Sequence, residues 1–274
     1  MKNTATIILN RNLPEVTDRL CELIASKNDA LTDIFVVESG SDQDKLSRHC
    51  TWWANWEEAR VQGLRPPRGF NYGLQQLWRE DRFRNYDNFF LVTNDTEFGD
   101  YPFLEILLEE LEKHPRVGIL SPCSQRWGER SLLRHTPTRY FWYVLNTALL
   151  MRREFIESVM TRDEPTHLNF LYDGSNFRGF GTELELIAKG YANDWATAIT
   201  STILCEENEA HLRHQAEVIR TEPFEKNMRL VIDEGRQWMY RKYGFKSRWT
   251  MQLYAKAFYD LFFQYFPELT PYKI

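Results

Sequence analysis

A chain of 274 residues with 43% hydrophobic and 15% aromatic residues can bury a sizeable core, as one large α/β domain or two small ones. Its formal net charge of −5 and pI near 5.8 argue against a general nucleic-acid binder, which is normally basic. Cys21, Cys50, Cys123 and Cys205 are scattered and form no CxxC pair, so a thiolate zinc site or a disulfide scaffold is not expected. The start, MKNTATIILNRN, lacks the long apolar stretch and small-residue cleavage site of a signal peptide. The most membrane-like run, FWYVLNTALLM, is short and is interrupted by Asn146. A soluble, cytoplasmic protein is the expectation.

In chain order, Ala5 to Leu9 reads as a strand, followed by a helix capped by Asn12 with Pro14 in its first turn. Leu13, Val16, Leu20, Leu23 and Ile24 recur there at helical spacing. Ile34 to Val37 is a second strand, ending in ESGSD. Residues 42–67 read as irregular, and GFNYGLQQLWRE opens another helix. Asn88 to Val92 is a buried strand that runs into TNDTE; if the chain stays extended, Thr93, Asp95 and Glu97 share one side. Leu104, Leu107, Leu108 and Leu111 mark an amphipathic helix stopped by His114-Pro115, and Val117 to Leu120 is a fourth strand. Ala148 to Met151 reads as a strand and Arg152 to Met160 as a short helix. Thr182 to Lys189 reads as a helix stopped by Gly190, and Trp249 to Phe266 as an aromatic helix.

Alternating strands and helices predict a mostly parallel sheet with helices on both faces. The polar clusters LNRN, ESGSD and TNDTE each follow a strand, so they converge on the carboxyl edge of that sheet, where open α/β folds bind ligands. A fourth cluster, GFGTELEL, opens a helix. GxxxxGK[ST], GxGxxG and GxSxG are all absent, which disfavours ATPase, Rossmann dehydrogenase and serine hydrolase readings. A bound diphosphate would then be met by side chains or by a hard cation on a strand-end carboxylate such as Asp95.

Six segments in order, TIILNR, VVESGS, RGFNYGL, LVTNDTE with the later HPRVG, ALLMRRE and TELELIAKGY, carry a resemblance. The chain resembles inverting glycosyltransferases of family 2, in their rhamnosyltransferase-like branch, over roughly residues 5–195. That resemblance implies a GT-A catalytic domain over 1–205, with 206–274 a helical extension packed on the same domain. It implies transfer of a sugar, of the hexosyltransferase type, from a UDP-, dTDP- or GDP-linked donor to a glycan or glycolipid hydroxyl with inversion, in polysaccharide or glycan assembly.

Carried over residue by residue, the resemblance puts Glu38 at the nucleotide base. Asp95 falls at the last acid of a DxD-like motif that holds Mn²⁺ or Mg²⁺ on the donor diphosphate. Thr93 stands where the first acid of that motif often stands. Glu183 falls on the catalytic base, and Thr182 replaces the acid before it. Asn10, Arg11, Ser41, Arg68, Asn71, Thr93 and Asn94 are expected around the donor; turn-stabilising roles are the alternative for Asn10, Arg11, Arg68 and Asn71, as for Glu38. His211 or His214 is a candidate further metal ligand, with a surface helix as the alternative. Trp127, Asp173 and Phe180 are candidates for the acceptor pocket, or for packing at its rim. Thr182 and Glu185 have capping-box spacing, and Glu183 would gain from the helix dipole, which keeps a carboxylate ionised. The carboxy-terminal helix is expected to pack on the domain or in a homodimer, or to touch a membrane surface. A degenerate binding protein, suggested by Thr93, and a sugar nucleotidyltransferase are the rival readings.

Overall fold

The computed structural model describes residues 2–124, 128–133, 135–144, 147–208, 210 and 218–274. Its centre is a nine-stranded sheet. The strands are β1 (Thr4–Asn10), β2 (Thr32–Glu38), β3 (Cys50–Trp53), β4 (Asn88–Thr93), β5 (Thr96–Phe98), β6 (Val117–Ser124), β7 (Thr138–Tyr140), β8 (Ala148–Arg152) and β9 (Ala196–Glu207). They lie in the order β3-β2-β1-β4-β8-β6-β9-β5, with β7 pairing β9. β3, β2, β1 and β4 are parallel neighbours, as are β6 and β9, while β8 runs antiparallel between β4 and β6. β5 and β7 are antiparallel to β9. The sheet is therefore mostly parallel.

Every residue of β1 and β6 is buried. Side chains alternate between the faces of a strand, so this pattern requires cover on both. Helices α1 (Pro14–Asn28), α2 (Glu57–Gln62), α3 (Arg65–Arg79), α4 (Phe103–Glu112), α5 (Arg153–Val159) and α6 (Thr182–Ala192) provide it, followed by α7 (Phe224–Tyr243) and α8 (Thr250–Tyr265). Tyr259, Phe262 and Phe263 of α8 join the same apolar core as β1, β4 and β6. Met251 and Ala255 of α8 and Trp238 and Met239 of α7 form a second cluster with Leu184 and Ala188 of α6. β9 runs through Cys205 to Glu207, so the sheet itself continues into the region expected to be helical.

Several local expectations are corrected. Asn12 does not cap α1. It sits at a positive φ of 56°, its side chain accepts from Asp42 N at 2.8 Å, and the Leu13 amide is taken by Asn10 Oδ1 at 3.2 Å. The 42–67 stretch holds β3 and α2, which aromatic and charged side chains disguised, and α3 begins at Arg65, with prolines in its first turn. Asn94 and Asp95 form a turn between β4 and β5, so Thr93, Asp95 and Glu97 do not share one extended face. Gly190 lies inside α6, where a Cβ would come within 3.1 Å of the Phe155 ring.

Candidate active site

A cavity of about 430 Å³ opens at the carboxyl ends of β1 and β4. Asn10 ends β1 and Arg11 follows it, Ser39 follows β2, and Thr93 ends β4, with Asn94 and Asp95 next. The GFG turn before α6 supplies Gly179 and Phe180, and α6 itself supplies Glu183. Parallel strands deliver their ends to one edge, so these distant segments meet.

The GFG turn is a fixed one. Gly179 and Gly181 both have positive φ, 83° and 87°, and a Cβ on Gly179 would lie 2.6 Å from Pro67. Gly181 is the residue before the helix, and Thr182 Oγ1 donates to Gly179 O at 2.8 Å. The expected capping box is absent because Glu185 is committed elsewhere. Its carboxylate accepts the Tyr243 hydroxyl, lies 2.6 Å from Lys242 Nζ and 3.5 Å from Lys189 Nζ.

Glu183 is half-buried on the cavity wall. Burial pushes its carboxyl up to about 7, against the backbone amides at the helix start, which favour the charged form. Desolvation thus outweighs the helix start, contrary to the expectation of a fully ionised group. A carboxyl that titrates near neutrality suits proton transfer in both directions.

Asp95 is buried in the turn after β4, and its carbonyl accepts from Asn208 N at 2.9 Å. That bond brings the end of β9 alongside, and Glu207 lines the same cavity. Two carboxylates lining one cavity are hard oxygen donors of the kind that hold Mg²⁺ or Mn²⁺ together with a phosphate. Among the described residues there is no cluster of three or more such ligands, so solvent or a bound ligand would complete the coordination.

Behind this wall runs a polar ladder. Asn94 Nδ2 donates to Asn10 Oδ1 and to Thr17 Oγ1, each at 3.0 Å. Asn10 Nδ2 donates to both oxygens of Glu38, at 3.0 and 2.9 Å. Ser41 Oγ at 2.5 Å and Ser47 N at 2.7 Å also donate to Glu38. Burial raises the Glu38 carboxyl, and these donors only partly oppose it.

The cavity also carries arginines. Arg178 pairs with Glu222 at 2.7 Å and with Glu234, and its Nε meets Asn227 Oδ1 at 3.2 Å. Arg65 lies 3.4 Å from Glu222, and burial together with Arg178 lowers it to about 10. Arg65, Arg68 and Arg178 surround the Phe177 ring at 4.9–5.5 Å.

No protein-family model matches the sequence, and no curated protein matches it significantly. Solved structures do match. Glucosyl-3-phosphoglycerate synthase from Mycobacterium tuberculosis, in complex with Mn²⁺, UDP-glucose and phosphoglyceric acid, aligns with a TM-score of 0.51 at 14% identity. The alignment covers 88% of this chain and 79% of that one. A mannosyltransferase from Pyrobaculum calidifontis, in complex with GDP-mannose and Mn²⁺, aligns at 0.50 with 11% identity, covering 93% and 73%. A mycobacterial protein aligns at 0.51 with 15% identity, covering 88% and 74%. The chain has the GT-A nucleotide-sugar transferase fold.

On this GT-A scaffold Asn10, Arg11, Thr93, Asn94, Asp95, Phe180 and Glu183 line one cavity. Glu38 does not; it is fully buried and saturated by Asn10, Ser41 and Ser47. Ser41 is buried with it. Arg68 is turned away to Gly174 O at 2.8 Å and Glu58 at 2.8 Å. Asn71 is buried, bonded to the backbone of His167, Leu171 and Tyr172. Asp173 is held by Trp238 Nε1 at 3.0 Å, by Ser175 and by Lys242; burial would raise its carboxyl, but these partners carry it well below the usual range. Arg11 lines the cavity, yet its guanidinium donates to the carbonyls of Ser39, Ala59, Arg60 and Val61. Trp127, His211 and His214 lie outside the described residues. Glu207, Arg65 and Arg178 were missed. An acidic pair, Glu206-Glu207, at the end of a strand and an arginine abutting GFG were the available signals.

Proposed function

We propose that this chain is a glycosyltransferase that moves a hexosyl group from a nucleotide-diphospho-sugar to an acceptor hydroxyl with inversion. The observation that carries the proposal is that Glu183, its carboxyl pushed by burial up to about 7, lines the same cavity as Asp95 and Glu207. The solved neighbours that hold Mn²⁺ with UDP-glucose or GDP-mannose support a donor of that class. Asn10, Thr93 and Asn94 lie where the donor would rest, with the ladder to Glu38 holding Asn10 and Asn94 in place.

Asp95 and Glu207 would hold Mn²⁺ or Mg²⁺, which supplies positive charge against the diphosphate when bound. Glu183 accepts the proton of the acceptor hydroxyl. The acceptor oxygen forms its bond to the anomeric carbon from the face opposite the leaving group. The bond to the nucleoside diphosphate breaks, and that group departs with the electron pair. One displacement of this kind inverts the anomeric centre. The rhamnosyltransferase-like motifs support a glycan or glycolipid acceptor, in polysaccharide assembly.

A melting-temperature screen against UDP-, dTDP- and GDP-sugars, each with Mn²⁺, Mg²⁺ or chelator, tests donor binding. A donor that stabilises only with metal, and loses that effect in Asp95→Ala, is the expected result. Equal stabilisation in chelator would overturn the metal assignment. Thr93 favours a second reading, a binding protein without turnover, because its hydroxyl engages Thr96 and Thr147 and brings no negative charge. Sugar transfer to an acceptor separates the two.

A further inference from the structure

α8 is apolar almost all round; Lys256 and Asp260 are its charged residues. Met251, Ala255, Tyr259, Phe262 and Phe263 make the buried face. The opposite face is open and mostly apolar: Leu253 is 65% exposed and Leu261 45%, flanked by Trp249 at 54% and Tyr265 at 77%, with Gln264 the exposed polar residue among them. Ala257 lies between them and is exposed as well. A soluble helix normally turns a polar face outward, so this one is built for a second apolar contact.

The charge beside that face indicates the partner. Between Gly235 and Thr250 the chain has Arg236, Arg241, Lys242, Lys246 and Arg248 and no acidic residue, within a protein of net charge −5. Arg236, Arg241, Lys246 and Arg248 are exposed, Tyr240 is 59% exposed among them, and Arg248 lies 4.5 Å over the Trp249 ring. On α8 itself Asp260 is neutralised by Lys256 and by Lys273, the latter at 2.9 Å. Exposed aliphatic side chains, exposed Trp and Tyr, and a basic stretch that holds no acidic residue together match the boundary of a bilayer with anionic headgroups.

We propose that the outward face of α8 and the basic turn before it dock this protein on an anionic membrane surface. Leu253 and Leu261 enter the acyl boundary, Trp249, Tyr240 and Tyr265 sit at headgroup level, and Lys246, Arg248 and Arg241 meet the lipid phosphates. This docking is independent of sugar transfer, and it places the chain where a lipid-linked acceptor would be presented.

The test is cosedimentation of the full chain with vesicles of phosphatidylcholine alone and of phosphatidylcholine mixed with phosphatidylglycerol. Binding to the mixed vesicles, weakened by salt, is expected. Lys246→Gln and Arg248→Gln should each weaken it roughly five-fold. Leu253→Glu with Leu261→Glu should abolish it with an unchanged melting curve, since both side chains are exposed. No binding to either vesicle would overturn the proposal. So would binding indifferent to the leucine pair, binding to duplex nucleic acid instead of lipid, or a dimer in solution that the leucine changes dissociate.

Discussion

Glu183 and Glu185 stand on the same helix within one turn, and the fold treats them in opposite ways. Glu185 faces the α7 side, where Tyr243, Lys242 and Lys189 surround its carboxylate. Glu183 faces the cavity, where partial burial disfavours the charged form and the helix-start amides oppose that. A carboxylate supplied with cations is a tie between elements; one deprived of them is held near neutrality and can exchange a proton. The difference lies in what each face of α6 meets.

The sharpest way to break this contrast is to neutralise each acid in turn. Glu183→Gln should lose on the order of 10² or more in turnover while keeping donor affinity. Glu185→Gln should stay within a few-fold of the native rate. Equal losses in steady-state assays with a genuine acceptor would erase the distinction. In the native chain, kcat/KM should rise as pH climbs through about 7, the value at which Glu183 ionises. A profile flat across that range would count against Glu183 as the base.

Stability should show the reverse ranking. Glu185→Gln leaves Lys242 and Lys189 short of a counter-charge and should cost about 1–3 kcal/mol by denaturant unfolding, discounted because both lysines are partly exposed. Glu183→Gln should instead stabilise the protein at neutral pH. The folded carboxyl is raised from 4.5 to about 7, so both states are protonated at low pH. The unfolded chain ionises first as pH rises, and stability drains away between those values. The glutamine variant escapes that loss, so it should match the native chain near pH 4 and exceed it by on the order of 1 kcal/mol above pH 7. Coincident melting curves across that range would remove the assigned burial of Glu183. The smallest effect expected is that of Tyr243→Phe, which takes one donor from Glu185 and should cost about 1 kcal/mol with no change in rate.

The sequence by itself determined the α/β architecture and the location of the cavity. Apolar runs at Thr4–Asn10, Thr32–Glu38 and Asn88–Thr93, each followed by polar residues, are local patterns, and parallel pairing brings their ends together. Asn10, Asn94, Asp95, Phe180 and Glu183 were legible on that basis and on motif resemblance. Tertiary structure decided which polar groups are available. Glu38 looks like a strand-end ligand, yet Asn10, Ser41 and Ser47 close around it. Glu207 looks like one acid in an acidic stretch, yet β9 carries it beside Asp95. Glu183 has the local setting of an ionised helix-start acid, yet non-local packing desolvates it and moves its titration to neutrality. Likewise the periodicity of α8 identifies a helix, but only its neighbours decide which of its two apolar faces is covered. Backbone preference is set by near neighbours along the chain. Burial, counter-charge and pKa are set by neighbours in space, and no short stretch of sequence contains those.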